Sequence, residues 1–478
     1  MTTLQADVLV IGGGATGAGV AWDCALRGYD TILVDRRDLA EGTSGRFHGL
    51  LHSGGRYVVK DPDAAVECVH ENAIVRRVAA DTVEDTGGLF VTTPDDDPAY
   101  GDRFAEGCRA TGLPTEEISP AAALKREPLL NPGIKRAFTV PDGSIDVWKL
   151  VWALANGAAA HGARVLTYAE VTGLRDDGVE AIDGLTGAAF TVRARHTILA
   201  AGVWTSALTG AVTLRPSRGS HLLVRAERLG DPRAMLSVKV PGERSRWVFA
   251  IPRGDGLVTL GLTDVPAPGA PVDEPQPDAA EEAELLDRIS AALDVPLTAA
   301  DVVGRYAGLR PLAVVDGATG GATADLSRRH AIVTDSDSGA LAIVGGKLTT
   351  YRRMAQDAVD QVTDRPCRTA RLSLVGAASP AALASVAAPE RLVRRYGTEA
   401  PAVVALADGR PELLEPVGEG VPVCGAELLW AVRHELALTV DDLVDRRVRA
   451  GLVPSWRAAA VPAASELALA PANVNGAG

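Results

Sequence analysis

Short apolar runs and helical-period segments alternate along the first third of the chain. Asp7-Val8-Leu9-Val10-Ile11 is continuously apolar and β-branched after its first residue, the pattern of a strand buried on both faces. Residues 18–27 read as a helix that ends at Gly28, and Thr31-Ile32-Leu33-Val34 as a second strand that ends on Asp35. Residues 64–80 carry the spacing of an amphipathic helix, and residues 88–92 predict a strand. Residues 163–167 and 191–195 predict further strands, and 196–204 an apolar strand that stops at Ala201-Gly202. The runs 219–224, 246–252 and 257–262, separated by turn residues, predict an antiparallel sheet. Residues 265–278 are a proline-rich connection, and 281–293 a helix with apolar positions at 285, 286, 289, 292 and 293. Two more strands are expected at 331–334 and 340–344, the second leading through Gly345-Gly346-Lys347 into a helix reaching about Val362. Residues 376–389 read as a linker, 390–460 as a small charged helical bundle, and the tail from Val461 as frayed.

The 478 residues correspond to two or three folding units at ~150 residues per domain. With 47% apolar residues the chain has enough to bury a sizeable core. No run of about eighteen apolar residues is present, so no spanning helix is expected. The N-terminus lacks a basic, apolar leader, which places the expected location in the cytoplasm. A net charge of -13 argues against wholesale nucleic-acid binding, though a local basic pocket remains compatible with it. Cys24, Cys68, Cys108, Cys367 and Cys424 are scattered without a C-x-x-C pair, so no disulfide framework and no metal site is expected. Only six of the 48 basic residues are lysines, which draws attention to each one.

Between the first two strands stands Gly12-Gly13-Gly14-Ala15-Thr16-Gly17, a G-x-G-x-x-G inside a βαβ unit, with Asp35 at the end of the second strand, ~20 residues beyond the glycines. Gly12 makes the tight turn, Gly14 admits a pyrophosphate to the backbone, and Gly17 lets helix and strand pack closely. The helix N-terminus supplies N–H groups and the positive end of its dipole, and Asp35 would accept from ribose hydroxyls. The motif reads as dinucleotide binding without separating FAD from NAD. The strand stopping at Ala201-Gly202 resembles the one whose glycine passes the cofactor in flavoproteins of this kind, which shifts the preference to FAD.

Four segments carry a more specific resemblance: the Gly12–Gly19 stretch, the polar glycine-rich segment from Gly45 to Tyr57 with two histidines and two arginines, Gly308-Leu309-Arg310-Pro311-Leu312, and 345–352. Together and in this order they resemble the FAD-dependent glycerol-3-phosphate dehydrogenases of the D-amino-acid-oxidase superfamily. The Gly45–Gly54 run is similar to that of the anaerobic-type large chain, and residues 396–447 to the C-terminal helical domain of the aerobic type. The chain departs from the family at Val147-Trp148-Lys149, where Pro-Phe-Arg is expected, and at Leu262, where Thr is common. The cysteine-bearing C-terminal segment of the anaerobic type and the large insertion of the oxygen-using relatives are both absent from it.

The resemblance implies an α/β fold, α+β overall. A Rossmann-like, glutathione-reductase-like FAD-binding domain over 1–85, 140–215 and 300–365 is interrupted by an antiparallel-sheet substrate domain over 86–139 and 216–299. A C-terminal α-helical domain follows over 385–465. It implies noncovalent FAD held by Gly12, Gly14, Ala15, Thr16, Gly17, Asp35, Arg36, Thr43, Ser44, His48, Gly49, Leu50, Val171, Ala201, Gly202, Trp204, Gly346, Lys347, Leu348 and Thr349. It further implies oxidation of sn-glycerol 3-phosphate to dihydroxyacetone phosphate, with electrons passing to a membrane quinone directly or through partner subunits, peripheral contact with the inner face of the cell membrane, and room for a homodimer.

A dianionic substrate needs cations with directed donors, a task suited to arginine forks; Arg56, Arg310 and Arg328 are the candidates. Lys347 falls where the family places the flavin's pyrimidine edge, able to stabilise charge there and to hold the substrate oxygen. His52 and His221 are the candidates for the base that takes the C2 hydroxyl proton. His48 reads as a loop histidine near the flavin, and His434 as structural. Two neighbouring readings share these motifs: an amino-acid or hydroxy-acid oxidase of the same superfamily, and a flavoprotein that works only when assembled with partner chains.

Overall fold

The computed structural model describes residues 2–94, 96–239, 247–314 and 330–469. Its first sheet is built around β1 (Thr2–Ile11), which leads into α1 (Ala15–Leu26) and returns as β2 (Thr31–Val34). β1 pairs in parallel with β2 on one side and with Ala189–Leu199 on the other. Arg164–Leu166 extends the parallel part beyond β2, and Leu341–Gly345 joins the end of Ala189–Leu199. The side chains of β1 alternate between two cores: Val8 and Val10 face the helices, Leu9 and Ile11 the opposite layer. That double burial is why the run carries no polar alternation.

On the helical face, α1 lies between Val147–Ala160 and Tyr351–Val359. Glycines permit the close approach: a Cβ on Gly157 would stand 3.0 Å from the Trp22 ring, and one on Gly19 3.2 Å from the Ala355 Cβ. Trp148 and Trp152 stack at 6.3 Å in this core, and each fully buried large side chain contributes ~1.5–3 kcal/mol of transfer free energy.

The second sheet runs in the order Val265–Pro266, Ser217–Arg225, Leu257–Gly261, Trp247–Pro252, Met235–Lys239, Gly88–Thr92, Arg136–Val140, Glu116–Ile118. It is antiparallel except where Met235–Lys239 meets Gly88–Thr92. Helix Ala279–Leu293 covers one face through Leu285, Leu286, Ile289 and Leu293. Two expectations are corrected here. Val302–Arg310, assigned from sequence to the FAD-binding segments, is a strand of this second sheet, because it pairs along Ser217–Arg225. Residues 191–204 do not form two strands: Ala189–Leu199 is one continuous strand, its first half antiparallel to Gly178–Asp183 and its length parallel to β1.

The C-terminal helices bury a core around Leu428, Leu443, Val444 and Trp456 that also takes in Leu223, Leu257 and Tyr306 of the second sheet. The tail is not frayed at Val461: helix Pro454–Leu469 continues through Pro462, held by Ala460, Ala464 and Leu467 in that core. This domain grips the first through Arg447, whose guanidinium is wholly buried against the equally buried Asp38 carboxylate, and through Arg446, 2.7 Å from the same carboxylate. Cys24, Cys68, Cys108 and Cys424 are buried free thiols. No described helix is long and apolar enough to cross a membrane.

Candidate active site

One cavity of about 670 Å3 runs from the end of β2 to the second sheet, within the ~300–1,000 Å3 that suits cofactor-sized ligands. Its first end is the β1–α1 turn. Gly12 has φ 109°, and a Cβ there would stand 2.5 Å from the Ala200 carbonyl. Gly14 caps α1 without a side-chain hydrogen bond, and the first turn holds no acidic residue, which leaves the positive end of the helix dipole open to an anion. Ser44 reaches across to accept the Ala15 N–H (3.0 Å). Asp35 accepts the Gly13 N–H (2.6 Å) and the Arg37 N–H (2.9 Å), and burial raises it to about 6. The Arg36 guanidinium lies 4.3 Å from the centre of the Trp204 ring, while Asp273 of the second domain ion-pairs with both Arg36 and Arg37.

At the middle, Gly345 (φ 72°) and Gly346 (φ 82°) turn the chain from strand to helix, conformations that glycine adopts without a Cβ clash. Lys347 follows. Its Nζ is enclosed and finds no hydrogen-bond acceptor among the described residues; it lies 4.9 Å from the Tyr57 ring centre. An enclosed ammonium with only a ring face for company suits a ligand that brings an electron-rich edge.

At the far end, Arg310 donates to the Thr263 carbonyl (2.8 Å) and to Ser217 Oγ (3.2 Å), with Asp264 at 3.4 Å. Arg56 sits 5.2 Å from the Phe249 ring centre. His48 and His221 meet edge-on at 5.8 Å. Burial, then the charge of Arg310, lowers His221 to about 3. Burial and the neighbouring His221, Arg56 and Arg310 hold His48 well below the ordinary histidine range. Both rings are therefore neutral at neutral pH. His48 Nδ1 already accepts the Leu50 N–H (3.0 Å), which removes it as a proton acceptor, whereas His221 Nδ1 is enclosed with no hydrogen-bond partner among the described residues. His52 is fixed from two sides: Thr349 donates to its carbonyl (3.3 Å), and the next residue, Ser53, donates twice to buried Asp142 (2.5 and 2.6 Å).

Gly12, Gly14, Ala15, Thr16, Asp35, Arg36, Thr43, Ser44, His48, Leu50, His52, Arg56, Val171, Ala201, Gly202, Trp204, His221, Arg310, Gly346, Lys347 and Leu348 all line this cavity. Three expected residues do not. Gly17 packs under the turn, where a Cβ would collide with the Gly12 carbonyl; Thr349 is buried on His52; Gly49 faces a second cavity. Arg328 lies outside the described residues. The cavity also takes in Tyr57, Gly219, Asp273 and Met354, which the sequence did not single out. Tyr57 could have been found as the residue beside Arg56; Asp273 carries no local signal.

The residues fit an adenine dinucleotide carrying a flavin: a glycine cradle at a helix start, an acid beyond it, and an orphaned ammonium farther along. Residues 7–352 match the family described as FAD dependent oxidoreductase, which sets the class of the protein. Residues 367–475 match the C-terminal domain of alpha-glycerophosphate oxidase. The chain is 41% identical to glycerol-3-phosphate dehydrogenase 1 of Mycobacterium tuberculosis over 488 aligned positions, covering 96% of this chain and 94% of the relative. It is 37% identical to a chain of the anaerobic glycerol-3-phosphate dehydrogenase of Escherichia coli, covering 94% of this chain and 85% of that one. The crystal structure of the Bacillus halodurans glycerol-3-phosphate dehydrogenase complexed with FAD superposes with a TM-score of 0.76 at 28% identity, covering 98% and 92% of the two chains. The chain belongs to the FAD-dependent glycerol-3-phosphate dehydrogenase family.

Proposed function

We propose that the protein oxidises sn-glycerol 3-phosphate to dihydroxyacetone phosphate and delivers the electrons to a quinone. When bound, FAD supplies the hydride acceptor at its N5 and the route by which electrons leave. The reading is carried by the enclosed Lys347 ammonium, standing in one cavity with the cations Arg56 and Arg310 and with neutral histidines. Arg310, held by Thr263 and Ser217, presents a fixed guanidinium fork to the substrate phosphate, with Arg56 as the second cation. Arg328 is proposed as a third. Lys347 holds the C2 oxygen and stabilises negative charge that develops beside it. His52 or His221 takes the C2 hydroxyl proton. His221 is neutral and so able to accept it; burial first and the Arg310 charge second keep its basicity low, and a bound dianion offsets the second.

A quinone is lipid-soluble, so the reading includes peripheral contact with a membrane surface. A substrate screen with a dye acceptor, run beside a peroxide assay, tests it. Turnover with glycerol 3-phosphate and little peroxide is expected. Turnover with amino acids or hydroxy acids, with stoichiometric peroxide, would point to an oxidase instead.

A further inference from the structure

A second cavity of about 150 Å3 opens where the C-terminal helices meet the other two domains. It is separated from the first by Phe47 and His48, which line both. Six basic side chains line it against four acidic ones, in a chain of net charge -13, and Glu427 and Glu390 pair with three of the six from outside the lining. Most of the cations have partners. Lys149 pairs with Asp81 (2.7 Å), Arg253 with Asp255 (2.7 Å), and Arg391 and Arg395 share Glu427 (2.6 and 3.4 Å). Asp146 is engaged as a helix cap, accepting the Lys149 N–H (3.1 Å).

Arg449 is different. Among the described residues it has no carboxylate within ion-pair distance, and its Nε is enclosed without an acceptor; its one hydrogen bond goes to the Gly45 carbonyl (3.3 Å). Trp456, only 4% exposed, also lines the cavity, and its indole N–H has no acceptor among the described residues. Two enclosed donors without acceptors, in a basic cavity, are the inverse image of an oxyanion: burial of a donor is costly until an acceptor arrives. The volume is too small for a dinucleotide and ample for a tetrahedral oxyanion with a short carbon chain. Arg391 and Arg394, with side chains 39% and 55% exposed, stand on the solvent side and draw anions inward.

We propose that this cavity is a second anion site, distinct from the catalytic one, that takes a phosphate group, either as inorganic phosphate or on a small phosphomonoester. Arg449 and Trp456 are its inner donors. The inference stands on this cavity alone and not on the chemistry proposed for the first.

The test is equilibrium dialysis of the FAD-loaded enzyme against labelled inorganic phosphate, in an Arg310→Met background that weakens binding in the catalytic cavity. One phosphate per chain is expected to remain. Arg449→Met should abolish it. Trp456→Phe, which keeps the ring and loses the N–H, should weaken it by ~10-fold or more. Displacement by excess glycerol 3-phosphate assigns the site to phosphomonoesters, and retention assigns it to inorganic phosphate. Absence of binding in the Arg310→Met enzyme, or binding unchanged by Trp456→Phe in a variant with unaltered melting temperature, overturns the proposal.

Discussion

Arg310 occupies the space that any side chain at position 219 would need: a Cβ built on Gly219 collides with its guanidinium. The two sit on neighbouring strands, Gly219 opposite Gly308 and Arg310 opposite Ser217, so the arginine folds back across the sheet into a gap left by the glycine. Gly219→Ala should therefore push the fork out of place and raise KM for glycerol 3-phosphate with a smaller change in kcat. Arg310→Lys should raise KM by ~10–100-fold, because a point charge cannot reproduce a bidentate fork. Steady-state kinetics with a dye acceptor checks both; unchanged KM values would remove Arg310 from the phosphate site.

Lys347→Ala should act on the other kinetic constant. Its ammonium is placed to meet charge that appears during the reaction, so kcat should fall ~100-fold or more while KM changes less. FAD content, read after heat denaturation, should not change, since the pyrophosphate end of the cavity lies at Gly12 and Gly14. A large loss of FAD would make Lys347 a cofactor anchor instead.

FAD affinity should depend on pH through Asp35. Burial raises its carboxyl to about 6 in the ligand-free protein. Ribose hydroxyls donate to the ionised form, so bound FAD lowers that value, and affinity is full above about 6 and weakens as pH falls below it. Flavin fluorescence titrations of the apoprotein at several pH values check this. Asp35→Asn should bind more weakly throughout and show a flat profile over that range.

The buried pair Asp38–Arg447 ties the C-terminal domain to the loop after β2, both side chains being wholly enclosed. Asp38→Ala leaves the Arg447 charge uncompensated and should cost ~3–5 kcal/mol, seen as a lower melting temperature. A double change to Asp38→Leu with Arg447→Met should recover part of it, because the Arg447 charge is gone and Arg446 keeps its pairing with Asp442.

What could be read from the chain was what local chemistry dictates. The β1–α1–β2 unit was legible because Gly12, Gly14, Gly17 and Asp35 act within one supersecondary element. Helix Ala279–Leu293 was legible because one face packs and the other meets water. Helix Val147–Ala160 was not, since it is buried on nearly every side and so carries no clear period. The placement of Val302–Arg310 depends on pairing with a strand some eighty residues earlier, which no local pattern announces. The same holds for the site. Arg310 and Lys347 stood out by their settings, but the gap at Gly219, the Asp273 clamp on Arg36 and Arg37, and the role of Thr349 in holding His52 arise only when distant segments meet.

The visible spectrum under nitrogen is the most direct test of the proposed reaction. The purified protein should be yellow, release FAD on denaturation, and bleach when sn-glycerol 3-phosphate is added, with colour returning on addition of a quinone analogue. A flavin band that stays unchanged at saturating glycerol 3-phosphate, in protein shown to carry FAD, would contradict it.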